Sequence, residues 1–284
     1  MVAVRETFFG SDRRYHVFTV IKYLTYLLLG INIWLFLQEE LLTLEHVALG
    51  ELAPGQLVQA FSATVDTAAW VILLLLFELE TSVLDDSQIR GGVRWALHGI
   101  RGLCYVFIVY AFFGYYGEVA PLHALTPYAG DPCALVGQGW SVMLNLDDFA
   151  LLDTANCSDL AAPVYTLTDF SQVLASGESL QAARWLAWTD VVNAGVWILV
   201  VVVLEVEVRL QLRGGLTAAA LALNKVLKFV LYGLLFAAAA YWGVAGDFLD
   251  FWDAALWLFA FIFIELNVFE WQYESRQGRA VAAS

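Results

Sequence analysis

Asp66-Thr67-Ala68-Ala69-Trp70-Val71-Ile72-Leu73-Leu74-Leu75-Leu76-Phe77-Glu78-Leu79-Glu80 is an apolar run that begins at one carboxylate and stops abruptly at two more. Its spacing returns twice. Asn193 stands four before Trp197, and Trp197 eight before Glu205, with Glu207 following. Asp253 stands four before Trp257, and Trp257 eight before Glu265, with Asn267 following. Identical offsets in three places indicate an internal repeat. At about 100° per residue, Asp66, Trp70, Leu73, Phe77 and Glu80 fall on one helical stripe, as do Asn193, Trp197, Val200, Leu204 and Glu207. Glu78, Glu205 and Glu265 lie about a third of a turn away from that stripe.

The surrounding composition sets the solvent. Of the 284 residues 61% are hydrophobic and 15% charged, more apolar than soluble domains and pointing to a membrane protein. Six spans of roughly 20 residues follow, at about 18–37, 57–77, 97–116, 185–204, 223–242 and 249–269. No small-residue cleavage site follows the first, so it reads as a retained helix and not as a signal peptide. Residues 38–56, acidic and leucine-bearing, read as an interfacial helix breaking at Pro54-Gly55.

The first helix of each pair also repeats. Lys22-Tyr23-Leu24-Thr25-Tyr26-Leu27, Arg101-Gly102-Leu103-Cys104-Tyr105-Val106 and Lys225-Val226-Leu227-Lys228-Phe229-Val230 share a cation, a leucine position and an aromatic. The expected fold is therefore an all-α polytopic membrane protein: six transmembrane helices as three repeated hairpins about a pseudo-threefold axis along the membrane normal. The units are an N-terminal segment 1–17, hairpins 18–80, 95–210 and 221–271, and a tail 272–284, with 117–184 an external insertion in the middle hairpin. Antiparallel pairing within hairpins places Lys22 beside Glu78 and Glu80, Arg101 beside Glu205 and Glu207, and Lys225 beside Glu265.

Thirteen of the 14 basic residues fall on one side of this arrangement, and only Arg184 on the other. Positive loops stay cytoplasmic, so both termini are expected inside an inner (plasma) membrane of bacterial type, with 117–184 outside. That segment is expected to be a small irregular cap with a short hairpin, then a helix near 174–183. Cys133 and Cys157 lie in it, on the oxidising side, where a disulfide is expected. Cys104 reads as an apolar filler in the third span.

Several functions find no support in the residues. No basic patch suggests nucleic acid, and the four histidines show no spacing for haem or a metal. No phosphate loop, nucleophile elbow or nucleophile–base pair appears, so neither an enzyme nor a cofactor is expected. Asp147, Asp148, Asp153 and Asp159 offer oxygens for calcium, but an acidic external loop reads first as solvated.

Carboxylates inside spans mark an ion path, a proton relay or a structural pair. Glu78, Glu80, Glu205, Glu207, Glu265 and Asn267 sit at the inner end, where Lys22, Arg101 and Lys225 balance them. Asp66, Asp190, Asn193 and Asp253 are deeper on the outer half, with Arg184 the only nearby cation. The expectation is a cation or proton-coupled transporter or channel, the aspartates lining an outer vestibule and the glutamates an inner gate. Its partners are the lipid bilayer and a proton or a mono- or divalent cation. The alternative is a non-catalytic scaffold or accessory subunit of a larger membrane complex, and other membrane subunits or further copies of the chain are the additional partners expected.

Overall fold

The computed structural model describes residues 12–46, 60–84, 88, 90–168, 170, 172–212 and 218–263, and most of them are helical. α1 spans Asp12–His46, α2 Ser62–Glu78, α3 Gly92–Val119, α4 Gly177–Leu212 and α5 Ala218–Ala245. α6 covers 248–263. Five of these helices are long and apolar enough to cross a membrane, by length and composition. The expected inner end of the sixth span, with Glu265 and Asn267, lies outside the described residues.

α1 departs from expectation. It continues unbroken to His46, where the sequence suggested an interfacial helix from residue 38. The reason is local: nothing between Leu37 and Glu45 breaks a helix, and Pro54-Gly55 comes too late to do so. At 1.5 Å per residue, its 35 residues make a rod of about 52 Å. The C-terminal end of α1 therefore stands beside the cap, where Thr43 donates to the Asp147 carbonyl at 2.9 Å.

Neighbouring helices pack in sequence, α1 on α2, α2 on α3, α3 on α4 and α4 on α5. α6 closes on α1 through Phe18 and Phe263, whose rings meet edge to face at 5.5 Å. The central core draws on five helices: Tyr26 and Leu29, Val71 and Leu74, Val196 and Val200, Leu231 and Leu235, Leu256 and Ala260. α3 lies outside this cluster and packs through Cys104 and Ile108 against Ala69. Gly195 brings α4 close to α3, since an added Cβ would stand 3.3 Å from the Phe112 ring.

The segment between α3 and α4 is more ordered than expected. It is a five-stranded sheet in the order β1-β4-β5-β2-β3, comprising Leu125–Pro127, Ser141–Met143, Phe149–Leu151, Val164–Leu167 and Val173–Ser176 in chain order. β2 and β5 pair in parallel at its centre, and the other pairings are antiparallel. Side chains alternate across the pleat: Val173 and Ala175 face α4, while Leu174 faces the opposite cluster with Val142 and Cys157. The expected disulfide joins Cys133 to Cys157, with Cα atoms 5.0 Å apart.

The helix expected near 174 starts at Gly177, because 173–176 are held in the sheet. Ser176 then caps it: the Ser179 amide donates to Ser176 Oγ and the Ser176 amide to Ser179 Oγ, each at 3.0 Å. At the same end of the bundle, Gly246 adopts φ +90° and turns the chain from α5 to α6. Asp247 opens α6 by accepting the Asp250 amide at 3.3 Å.

The cap holds two small apolar clusters rather than one deep core, so the cross-link should matter to it. Closing a 24-residue separation stabilises by roughly 3 kcal/mol through the unfolded state. Replacing Cys133 and Cys157 together by Ser is expected to let protease nick the cap at temperatures where the helices stay intact. Limited proteolysis against helical circular dichroism checks this, and equal resistance of the two proteins would contradict it.

Candidate functional site

Each repeated stripe carries a tryptophan one turn after its Asp or Asn, and the fold brings the three indoles together. Trp70 lies 6.1 Å from Trp197 and 6.4 Å from Trp257, and Trp197 lies 6.4 Å from Trp257, centroid to centroid. These tilted and edge-on contacts are in the favourable range for aromatic pairs. The triangle is tied into the core by Phe261, 4.7 Å from Trp197.

Next to this triangle, between the helices and the cap, is a cavity of about 440 Å³. Eight carboxylates line it: Glu39, Glu40, Asp66, Glu118, Asp147, Asp190, Asp250 and Asp253. No lysine, arginine or histidine is among its lining residues. Asp66, Asp190, Asn193 and Asp253 all belong to this wall, so the four outer residues singled out by the sequence occupy one place. Arg184, the cation that the sequence places close to these residues, is engaged elsewhere. Its Nε and Nη2 donate to the Leu122 carbonyl at 3.1 and 2.9 Å, pinning the turn that follows α3.

Some of the carboxylates have a structural partner. Glu40 accepts from the Ala63 amide at 2.8 Å and from the Thr64 hydroxyl at 2.5 Å, capping the start of α2 from a neighbouring helix. Asp190 accepts from Trp242 Nε1 at 3.2 Å, and Asp253 from Asn32 Nδ2 at 2.7 Å. Ser62 stands in bonding reach of Glu118. Neutral donors of this kind stabilise a carboxylate without cancelling its charge.

At the upper rim, Asp147, Asp247 and Asp250 bring ligand oxygens within 4.8 Å of one another, from the cap and from the start of α6. Asp147 is the member of the external acidic loop that turns inward. Asp153 instead holds a local turn by accepting the Ala155 and Asn156 amides. Burial pushes the Asp147 carboxyl well above the usual carboxylate range, and repulsion from Glu39 adds to it. Asp247 is pushed up as well, chiefly by burial, against the pull of its hydrogen bonds to Asp250.

The opposite end of the helices is different: four of its carboxylates, Glu78, Glu80, Glu205 and Glu207, are ion-paired. Lys22 Nζ donates to Glu78 Oε1 at 2.6 Å, and both residues are about 95% buried, at 5% and 4% exposure. Tyr23 adds a bond at 3.0 Å and Tyr26 one at 3.5 Å. This first-hairpin pair was expected. The others correct the expectation of pairing within hairpins. Arg101 binds Glu80 of the preceding hairpin at 2.7 Å, not Glu205 or Glu207. Glu207 binds Lys228 of the following one, and Glu205 binds Arg209 along its own helix at 2.8 Å. The physical reason is the packing order: α3 lies against α2 as well as α4, and Glu80 sits on a widened π-turn, Leu79–Val83, that follows α2. No ion pair to Lys225 occurs among the described residues.

Five of the eight wall carboxylates were not singled out as path residues in the sequence: Glu39 and Glu40 were read within an interfacial helix, Glu118 and Asp147 within the cap segment, and Asp250 as the start of the sixth span. The continuity of α1 past Leu37 was the available signal for the first two. Asn32 was missed as well, though a lone amide within an apolar span was visible. The chain matches no protein-family model, no curated protein and no solved structure.

Two outcomes follow from these charges. Lys22→Met leaves Glu78 buried without its counterion, and a loss of about 3–5 kcal/mol in unfolding free energy is expected, whereas Lys22→Met with Glu78→Leu should recover most of it. Denaturant titration of both variants decides this. For Asp147 and Asp247 the folded chain holds protons that the unfolded chain releases, so stability falls as pH rises from the ordinary carboxylate range towards their raised values. Thermal midpoints across pH 4–8 should fall less steeply in Asp147→Asn, and an unchanged slope would remove Asp147 from the effect.

Proposed function

We propose that this chain is an integral membrane protein that conducts or transports a cation, with or without coupled protons. The observation that carries the reading is the cavity: eight carboxylates, no basic residue, and a floor of three indoles. Concentrated acidic charge in a walled space attracts cations and repels anions. Charges kept within an apolar bundle without counterions are costly, and function is the usual reason for retaining them.

In this reading the six helices span an inner membrane of bacterial type with both termini cytoplasmic and the sheet-bearing cap outside. The positive residues support that orientation, since all but Arg184 fall on one side. The three hairpins are copies about a pseudo-threefold axis, a reading supported by the near-equal spacing of Trp70, Trp197 and Trp257. Cations gather in the outer cavity, lose part of their water to Asp66, Asp190 and Asp253, and wait above the indoles. Passage inward needs α2, α4 and α6 to part at the tryptophans. Glu78, Glu80 and Glu207, already neutralised by Lys22, Arg101 and Lys228, act as the closed inner gate.

A second reading, a scaffold within a larger membrane assembly, draws on the same paired inner half, which needs no movement to be stable. Flux separates the two. Proteoliposomes containing the chain should take up H⁺, Na⁺ or Ca²⁺ faster than empty vesicles, and Asp66→Asn, Asp190→Asn and Asp253→Asn should each lower that rate at least tenfold. Wild-type flux no greater than empty vesicles, for all three ions, would favour the scaffold. Undiminished flux in every variant would take the aspartates out of the path.

A further inference from the structure

The cavity wall carries as many aromatic rings as carboxylates, eight of each, with Trp70, Tyr115, Phe149, Trp197, Trp242 and Trp257 among them. Its volume of about 440 Å³ falls within the range of small-molecule sites, about 300–1,000 Å³. The Tyr115 hydroxyl and the Asn193 carboxamide belong to the same wall, both half-buried and both without a hydrogen-bond partner among the described residues. Polar groups held unpaired on the wall of an aromatic chamber are available to a ligand that fills it.

The heights of the charges specify the shape of that ligand. Asp190 and Asp250 stand seven residues before Trp197 and Trp257, whereas Asp66, Asn193 and Asp253 stand four before Trp70, Trp197 and Trp257. At about 1.5 Å per residue, the first pair lies about 10 Å above the indoles and the second group about 6 Å. Asp147 of the cap extends the upper level, its carboxylate within 4.8 Å of that of Asp250. A metal ion gathers its oxygens about one point. Carboxylates at two levels of an aromatic wall instead fit a chain that carries charge at both ends. Ammonium groups donate N–H to carboxylate, phenol and amide oxygens, and the methylenes between them pack on aromatic faces. No lysine, arginine or histidine lines the wall, so the ligand brings the positive charge.

We propose that the cavity is a binding site for an aliphatic polyamine, two protonated amines joined by methylenes, held upright between the two levels of aspartates. The site rests on the reading of the cavity as a cation chamber and names the class of its cation. One ammonium group sits among Asp147, Asp190 and Asp250, and the other between Asp66 and Asp253. Tyr115 and Asn193 accept remaining N–H bonds, and the tryptophan triangle closes the floor beneath the chain.

Calorimetric titration of butane-1,4-diamine into the full chain in detergent, at neutral pH and with no gradient present, tests the site. Wild-type protein should bind one diamine, and butylamine, with the same carbons and one charge, should bind at least tenfold more weakly. Asp66→Asn and Asp190→Asn each remove charge from one level at nearly constant volume, and each should weaken the diamine at least tenfold. Tyr115→Phe, which removes only the hydroxyl, should weaken it at least threefold. Glu205→Gln, at the opposite end of the helices, should change it less than threefold. Where an aspartate variant does not fold, by circular dichroism, Tyr115→Phe and the ratio of diamine to butylamine affinity decide. Absence of diamine binding, equal affinity for butylamine, displacement by equimolar Ca²⁺, wild-type affinity in all three wall variants, or an equal loss in Glu205→Gln would each overturn the proposal. Diamine binding in a protein that moves no cation into vesicles, diamine included, would sink transport alone. Flux of H⁺, Na⁺ or Ca²⁺ in a protein that binds no diamine would sink this site alone.

Discussion

Three indoles in mutual contact organise this molecule. Trp70, Trp197 and Trp257 come from α2, α4 and α6, and their centroids lie between 6.1 and 6.4 Å apart. Aromatic rings bury more area per residue than any aliphatic side chain, so one contact fixes the depth of three helices at once. Everything else divides about that level. Beyond it lies an acidic cavity with no cation in its wall, and on the other side charges are matched in pairs. The same apolar layer stands between two halves of opposite electrostatic character a few helical turns apart.

The two halves solve the same physical problem differently. A carboxylate in a poor solvent needs a counterion, a proton or donors. Glu78 has a counterion and two tyrosine hydroxyls. Asp190 and Asp253 have only neutral donors, from Trp242 and Asn32. Complete pairing suits a part of the bundle that stays closed. Partial satisfaction suits a part whose charge is meant to meet something from outside the chain.

What was legible in the sequence came from periodicity. Helical spacing placed Asp66, Asn193 and Asp253 on the stripes of the three tryptophans, and that arithmetic needs no knowledge of neighbours. The positions of the long apolar helices and the Cys133–Cys157 bond were likewise readable from run length and loop composition. The sheet was not, because strands of three or four residues are too short for alternation to stand out from loop noise. Nor were the ion-pair partners of Arg101 and Glu207, since they depend on which helices become neighbours, and a hairpin-by-hairpin view supplies the wrong ones. Glu39 and Asp147 were hidden for a related reason: each looks solvated along the chain and is enclosed only when the cap settles on α1.

The crossed pairs have a mechanical meaning. Glu80 to Arg101 ties α2 to α3, and Glu207 to Lys228 ties α4 to α5, while Lys22 to Glu78 ties α1 to α2. Among the described residues the helices are thus joined in two runs, α1 to α2 to α3 and α4 to α5, rather than as three independent clamps. At the cavity end the ties are of another kind, each joining a charged group to a neutral one: Glu40 to the start of α2, Arg184 to the Leu122 carbonyl, and Asp190 to Trp242. The bundle is thus laced at both rims, but only the rim away from the acidic cavity cancels its charges inside the chain.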